Sequence, residues 1–196
     1  AHCPSCNLDI RHRLLYENLH NSLKNKDISL LHFAPEYPLY KKLKKLDLRE
    51  YIAADIDQDL YFDALPIDAT NINFSDNKFD IIIFNHILHF IADDNKAIAE
   101  LARVLKKDGL LFLTVPIYGD STVEGTTLTP DQREKLFGAP YHLRMYGGAE
   151  FLKKIESFNF KVKVVDLYSS SSNIFNLKNI SPHSDSDRFL YICQKS

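Results

Sequence analysis

The chain has 196 residues, 45% of them hydrophobic, with 24 Lys and Arg against 26 Asp and Glu, for a formal net charge of −2. That length suits one domain with an ordinary core, and the apolar content excludes an intrinsically disordered chain. The near-balanced charge excludes a broad basic field for nucleic acid, and no apolar run approaches the roughly 20 residues that cross a bilayer.

The first feature in chain order is Cys3-Pro4-Ser5-Cys6. A C-x-x-C pair supplies half of a tetrahedral zinc site, and the chain has no second pair to complete it. Residues 1–7 are read either as the remnant of an N-terminal zinc ribbon or as a free cysteine pair, with zinc expected only if upstream residues complete the Cys3/Cys6 site. The one methionine is Met145 and the sequence opens on Ala1, so upstream residues are expected in the longer protein. Three scattered cysteines form no disulfide framework, which points to a reducing, cytoplasmic setting.

Residues 8–25 read as a helix with Leu15, Leu19 and Leu23 on one stripe. Ile28–Phe33 is a short strand, broken by Ala34-Pro35-Glu36-Tyr37-Pro38, and a second helix runs to about Leu46. Tyr51–Ala54 is a strand closing on Asp55, residues 57–62 are turn or short helix, and Leu65–Asp68 is a brief edge strand because Pro66 cannot donate to a ladder. Phe79–Phe84 reads as a strand buried on both faces. Asp93 or Asp94 caps the next helix, Lys106 and Lys107 suit its negative end, and Gly109 stops it. Leu110–Val115 is a further strand. The segment at about 116–146 is a long connection rich in Gly and Pro, of a length that is usually functional. It holds one small helix with a capping box at Thr129 and Gln132. A helix over Phe151–Phe158 ends on Asn159 in the left-handed region. Phe160–Leu167 is a strand, Ser169–Ser186 a polar loop, and Phe189–Cys193 the last strand.

Alternating strands and helices imply an α/β fold. The expected architecture is a Rossmann-like, seven-stranded, mostly parallel sheet with helices on both faces and an antiparallel edge strand. Residues 8–196 form a single domain, with the 116–146 segment inserted on the substrate side.

Ligands of such sheets bind beyond the carboxyl ends of the strands. Asp55 stands roughly 20 residues past the first strand, a spacing suited to ribose hydroxyls, or else it is a surface acid closing a strand. Asp68 can accept from an adenine amine or serve its turn. Asn85 and His86 lie where a ligand would pass, or cap a loop. No glycine-rich loop follows the first strand, which disfavours a pyrophosphate cofactor and with it a nicotinamide oxidoreductase.

Leu31-His32-Phe33-Ala34-Pro35-Glu36, Asp55, Asp68, Phe79–Ile83, Asn85–Leu88, Asp93-Asp94, Glu100-Leu101, Arg103–Lys106, Leu110–Pro116 and His142–Gly147 together resemble a branch of the type 11 class I S-adenosylmethionine-dependent methyltransferases, and Cys3-Pro4-Ser5-Cys6 with Arg11-His12-Arg13 resembles that branch's junction between ribbon and first helix. Where that family usually has Glu-His, this chain has His89-Phe90. The resemblance implies S-adenosylmethionine as cofactor, held by His32, Phe33, Ala34, Pro35, Glu36, Asp55, Asp68 and Asn85. It implies methyl transfer, and the mixed polar and aromatic residues of the 116–146 segment, among them Tyr118, Tyr141, His142 and Arg144, suit a small polar acceptor such as a sugar or metabolite. His86, His142 and Tyr118 are candidate catalytic residues, Arg144 and Tyr146 candidate substrate contacts, and no metal is expected within the domain. The competing reading is a non-catalytic binding protein that keeps the fold and loses S-adenosylmethionine or retains it only for structure.

Overall fold

The computed structural model describes residues 10–23, 27–57, 63–166 and 188–196. The proposed ribbon at Cys3 and Cys6 and the polar loop at 169–186 lie outside the described residues.

Seven strands form the main sheet: β1 (Ser29–Phe33), β2 (Glu50–Asp55), β3 (Leu65–Pro66), β4 (Phe79–Asn85), β5 (Leu105–Thr114), β8 (Phe160–Asp166) and β9 (Phe189–Lys195). β6 (Val123–Glu124) and β7 (Arg144–Met145) pair separately within the inserted segment. The sheet order is β3-β2-β1-β4-β5-β9-β8. The pairs from β3 to β5 are parallel, while β9 runs antiparallel to both β5 and β8. The expected Rossmann-like sheet with an antiparallel edge is therefore present.

Alternation in the central strands explains why they are apolar throughout. Ile82 and Phe84 of β4 point into one core with Leu111 and Leu113 of β5. Helices α3 (Asp94–Val104) and α5 (Gly148–Glu156) cover that face through Leu101, Val104, Phe151 and Ile155. Ile81, Ile83 and Phe112 point the other way, into a core closed by Leu15 and Leu19 of α1 (Ile10–Ser22) and Leu39 and Leu43 of α2 (Tyr37–Leu43). A strand buried on both sides has no polar face to spare, which is the signature read at Phe79–Phe84.

At the amino edge, the Asp80 carboxylate ties three elements together. It accepts from the Ser29 N–H at 2.8 Å, from Arg49 at 2.8 Å and from Lys106 at 2.7 Å. Burial would raise the Asp80 carboxyl, but these donors outweigh it and hold it below the usual aspartate range.

Several element ends differ from expectation. α2 stops at Leu43. α3 stops at Val104, and Lys106 and Lys107 belong to β5 instead of a helix end. β5 starts early because Leu105 pairs with Phe79, and the strand then bulges before Leu110 meets Ile81. Asp108 absorbs the bulge at φ 60°. Other local expectations hold. Asp93 caps α3 by accepting from the Lys96 N–H at 2.9 Å, an interaction worth about 1 kcal/mol. Thr129 and Gln132 form the capping box of α4 (Pro130–Phe137), Gly138 closes that helix at φ 74°, and Asn159 adopts φ 63° after α5.

The inserted segment is fastened at its return. Tyr118 N–H donates to the Tyr146 carbonyl at 2.8 Å, and Gly147 N–H donates to the Thr122 hydroxyl at 3.1 Å. A methyl group on Gly147 would overlap the backbone of Asp120 and Ser121. Gly147→Ala is expected to lower unfolding stability by about 1–3 kcal/mol, the usual range for overpacking. Chemical denaturation measures this, and an unchanged midpoint would contradict the close approach.

Candidate active site

The carboxyl ends of β1 and β4 finish alike. Ala34 follows β1 and donates its N–H to the Ala54 carbonyl at 2.8 Å; His86 follows β4 and donates to the Thr114 carbonyl at 2.9 Å. Immediately after those ladder bonds both residues enter the left-handed region, at φ 42° and 51°. For a residue with a Cβ this costs about 1 kcal/mol or more. Such strain collects at functional sites, where the surrounding structure enforces it. The chain thus makes, without glycine, the sharp exit that a glycine-rich loop makes elsewhere.

Glu36 stands just beyond the first of these turns, and α1 reaches over to it. His12 Nε2 lies 2.9 Å from Glu36 Oε1, and His32 Nε2 lies 3.6 Å from Glu36 Oε2. His32 is fully buried, with its Nδ1 3.0 Å from the Tyr51 hydroxyl. A carboxylate only accepts, so the His32 proton belongs on Nε2 facing Glu36, and the Tyr51 O–H donates to Nδ1. His32 Nε2 and Glu36 Oε2 are both buried without a hydrogen bond. Burial would raise the Glu36 carboxyl, but His12 and His32 more than offset it and hold it well below the usual carboxylate range. Burial raises the Tyr51 phenol, with the acidic groups around it adding to the effect.

The remaining expected cofactor residues divide by exposure. Asp55 and Asp68 lie at the sheet's carboxyl edge, each with Oδ1 shaping a turn. Asp55 accepts from the Asp57 N–H at 3.0 Å, and Asp68 from the Thr70 N–H at 2.8 Å and hydroxyl at 2.9 Å. Phe33 is buried edge-on against Phe84 with centroids 5.2 Å apart, and Pro35 is buried, so both shape the turn from beneath. Asn85 is buried and accepts from the Thr114 hydroxyl at 3.2 Å.

A second cluster lies on the other side of His86. The ring of His89 packs edge-on against His86 (centroids 6.1 Å apart) and His142 (4.8 Å). Phe90 and Tyr141, both exposed, flank His142 at 5.3 and 5.2 Å. The Nδ1 atoms of His89 and His142 are buried without a partner. Burial, with His86, His142 and Arg144 nearby, pushes His89 down to about 3; burial also lowers His142.

Arg144 and Tyr146, expected to meet substrate, are buried and engaged within the protein. Arg144 donates to Glu124 at 3.1 Å and to the carbonyls of Ile91 at 2.5 Å and Ala92 at 2.9 Å. Tyr146 donates to Asp94 at 2.8 Å, and Lys154 joins the same carboxylate at 2.6 Å. These groups brace the inserted segment against the start of α3. Tyr118 is exposed at the beginning of that segment.

His12 was missed as a site residue. His12 continues the stripe of Leu15 and Leu19 and is buried with it, but nothing in the local pattern shows that the amino end of this helix reaches Glu36. A cavity of about 440 Å³ runs beside β2 between Tyr40, Arg49, Tyr51 and Leu65; it includes none of Glu36, Asp55 or Asn85. Among the described residues no group of three or more His, Cys, Asp or Glu is arranged to hold a metal ion, and no helix is long and apolar enough to cross a membrane.

The family model described as a methyltransferase domain matches residues 31–113, from β1 to the end of β5. No curated protein matches the chain. A crystal structure of an S-adenosylmethionine-dependent methyltransferase from Mesorhizobium loti superposes with a TM-score of 0.67 at 10% identity, covering 96% of this chain and 100% of that one. The Burkholderia thailandensis 1,6-didemethyltoxoflavin-N1-methyltransferase, solved with 1,6-didemethyltoxoflavin and S-adenosylhomocysteine, gives 0.62 at 12% identity, covering 95% and 78%. The cyclase SpnF gives 0.65 at 15% identity, covering 93% and 80%. The resemblance to class I S-adenosylmethionine-dependent methyltransferases is thereby borne out in fold and in domain match. The cyclase shows that this fold also serves other reactions, so activity must be argued from the site.

The neutral, buried His89 gives a direct test of the second cluster. Its folded pKa of about 3 lies below the ordinary 6.5. Protonation therefore favours the unfolded chain, and stability is lost as pH falls from about 6.5 toward 3. Melting curves of the wild type should fall more steeply between pH 6.5 and 5 than those of His89→Phe; parallel slopes would contradict the assignment.

Proposed function

We propose that the protein is an S-adenosylmethionine-dependent methyltransferase acting on a small polar acceptor. The observation that carries this reading is the pair of left-handed residues, Ala34 and His86, at the ends of adjacent parallel strands, with Glu36 Oε2 and His32 Nε2, beside the first of them, buried and 3.6 Å apart without a hydrogen bond. Buried polar atoms without partners call for an explanation, and a carboxylate beside a protonated imidazole nitrogen fits the ammonium and carboxylate of an aminoacid end. A cofactor without phosphates needs no glycine cradle of backbone N–H groups, which suits this turn. The same residues do not suit a dinucleotide.

On this reading Asp55 takes the ribose hydroxyls and Asp68 the adenine amine, while Phe33, Pro35 and Asn85 hold the turn and strand ends in place. The cofactor supplies an activated methyl group. The protein aligns the acceptor with it, and alignment of this kind is worth on the order of 7–11 kcal/mol of barrier. His142 stands where the acceptor would enter. Its lowered basicity keeps it unprotonated at neutral pH, as required to take a proton from an acceptor hydroxyl or amine, for a gain of about 10²–10⁴-fold. His86 and Tyr118 line the approach to the same place. Arg144 and Tyr146 act on substrate only through the segment they fasten.

Calorimetry with S-adenosylmethionine and S-adenosylhomocysteine tests the reading. Binding in the micromolar range is expected, with Asp55→Ala weakening it about tenfold through loss of a charge-assisted hydrogen-bond acceptor. No heat at millimolar ligand would overturn the reading.

A further inference from the structure

The backbone of residues 140–144 is pinned at successive points. Arg133 of α4 donates to the Pro140 carbonyl at 2.6 Å. Leu143 N–H donates to the His89 carbonyl at 3.0 Å, and Gly125 N–H donates to the Leu143 carbonyl at 2.7 Å. Arg144 adds its bonds to the carbonyls of Ile91 and Ala92. From this fastened stretch Tyr141 and His142 meet Phe90. Phe90 is 41% exposed and Tyr141 63%. Their ring centroids lie 5.6 Å apart with planes inclined by 60°, and His142 contacts both rings. The buried ring of His89 lies 3.9 Å from Phe90 and links the group to His86 at the end of β4.

A single exposed ring is ordinary. Two in mutual contact, brought together from segments distant in sequence and held on a fixed backbone, form an aromatic surface that is preorganised for a ligand. Its chemistry is selective. The ionised groups that brace this segment are already engaged: Arg144 with Glu124 and backbone carbonyls, Asp94 with Tyr146 and Lys154. A sugar calls for partners to several hydroxyls, and an acidic acceptor calls for a cation. Tilted rings instead offer quadrupoles, which receive a flat ring by offset stacking on one face and edge contact with the other.

We propose that Phe90, Tyr141 and His142 form the acceptor platform, and that the acceptor is a flat, uncharged aromatic or heteroaromatic ring bearing the O–H or N–H to be methylated. This rests on the S-adenosylmethionine reading and narrows its small polar acceptor to one chemical class.

Amide shift mapping with three probes, each titrated with S-adenosylhomocysteine present, tests it. 2-Naphthol is flat and uncharged at neutral pH, decahydro-2-naphthol keeps the same skeleton without aromatic faces, and methyl β-glucoside stands for a sugar. 2-Naphthol is expected to give saturable shifts at residues 89–90 and 141–143, and to bind about tenfold or more tightly than either other probe. Phe90→Leu and Tyr141→Leu, which keep an apolar side chain, are each expected to weaken 2-naphthol about threefold to tenfold, the worth of an aromatic contact. Equal affinity for decahydro-2-naphthol or for the glucoside would overturn the proposal, as would 2-naphthol shifts elsewhere or none at all. The comparison of probes on the wild type decides even if a variant misfolds. Shifts from 2-naphthol at these residues, with none from S-adenosylhomocysteine anywhere, would instead overturn the cofactor reading and leave the ring site standing.

Discussion

The register between β1 and β4 is the constraint on which the rest of the structure depends. Leu30 pairs with Ile81 and Phe33 with Phe84, so the two strands end side by side. Both are clamped between two apolar cores, and their last backbone bonds run outward to β2 and β5 through Ala34 and His86. With the ladder held this firmly, the next residue on each strand accepts a left-handed conformation that its side chain disfavours. The two sharp exits lie side by side at the carboxyl edge, with Glu36 two residues beyond the first.

On either side of these exits the charges are handled in opposite ways. On the β1 side a carboxylate is kept ionised in partial burial by two imidazoles, and a tyrosine sets the tautomer of one of them. On the side of the inserted segment the ionised groups are used up in bracing. Arg144 is spent on loop carbonyls and Glu124, and Asp94 on Tyr146 and Lys154. What remains on that side is neutral: His89 and His142, their basicity depressed by burial, beside the exposed rings of Phe90 and Tyr141. A charged corner suits an aminoacid end. On the proposed reading, a neutral cluster of imidazoles suits an acceptor that must give up a proton.

Much of the fold was legible because the signals are local. Phe79–Phe84 announces a doubly buried strand by lacking any polar face, Thr129 and Gln132 announce a helix start, and Asn159 its end. The early onset of β5 was not legible, since Lys106 and Lys107 suit a helix terminus locally and only the tertiary pairing of Leu105 with Phe79 draws them into the sheet. The site was partly legible for the same reason. Asp55, Glu36 and His86 follow strand ends, and strand ends can be read. The contact of His12 with Glu36 could not be read, because it comes from how a distant helix crosses the sheet. Arg144 misled: an arginine in a polar loop looks like a substrate contact until its donors are traced to Ile91, Ala92 and Glu124.

The central claim is that the two left-handed strand exits form the seat of an adenosyl ligand. Backbone amide shift mapping during titration with S-adenosylhomocysteine addresses it most directly. The account predicts saturable shifts concentrated at residues 34–36, 55–57, 68–70 and 85–87, converging on one side of the sheet. Saturable shifts confined to other parts of the molecule, or none at these positions under saturating ligand, would contradict it.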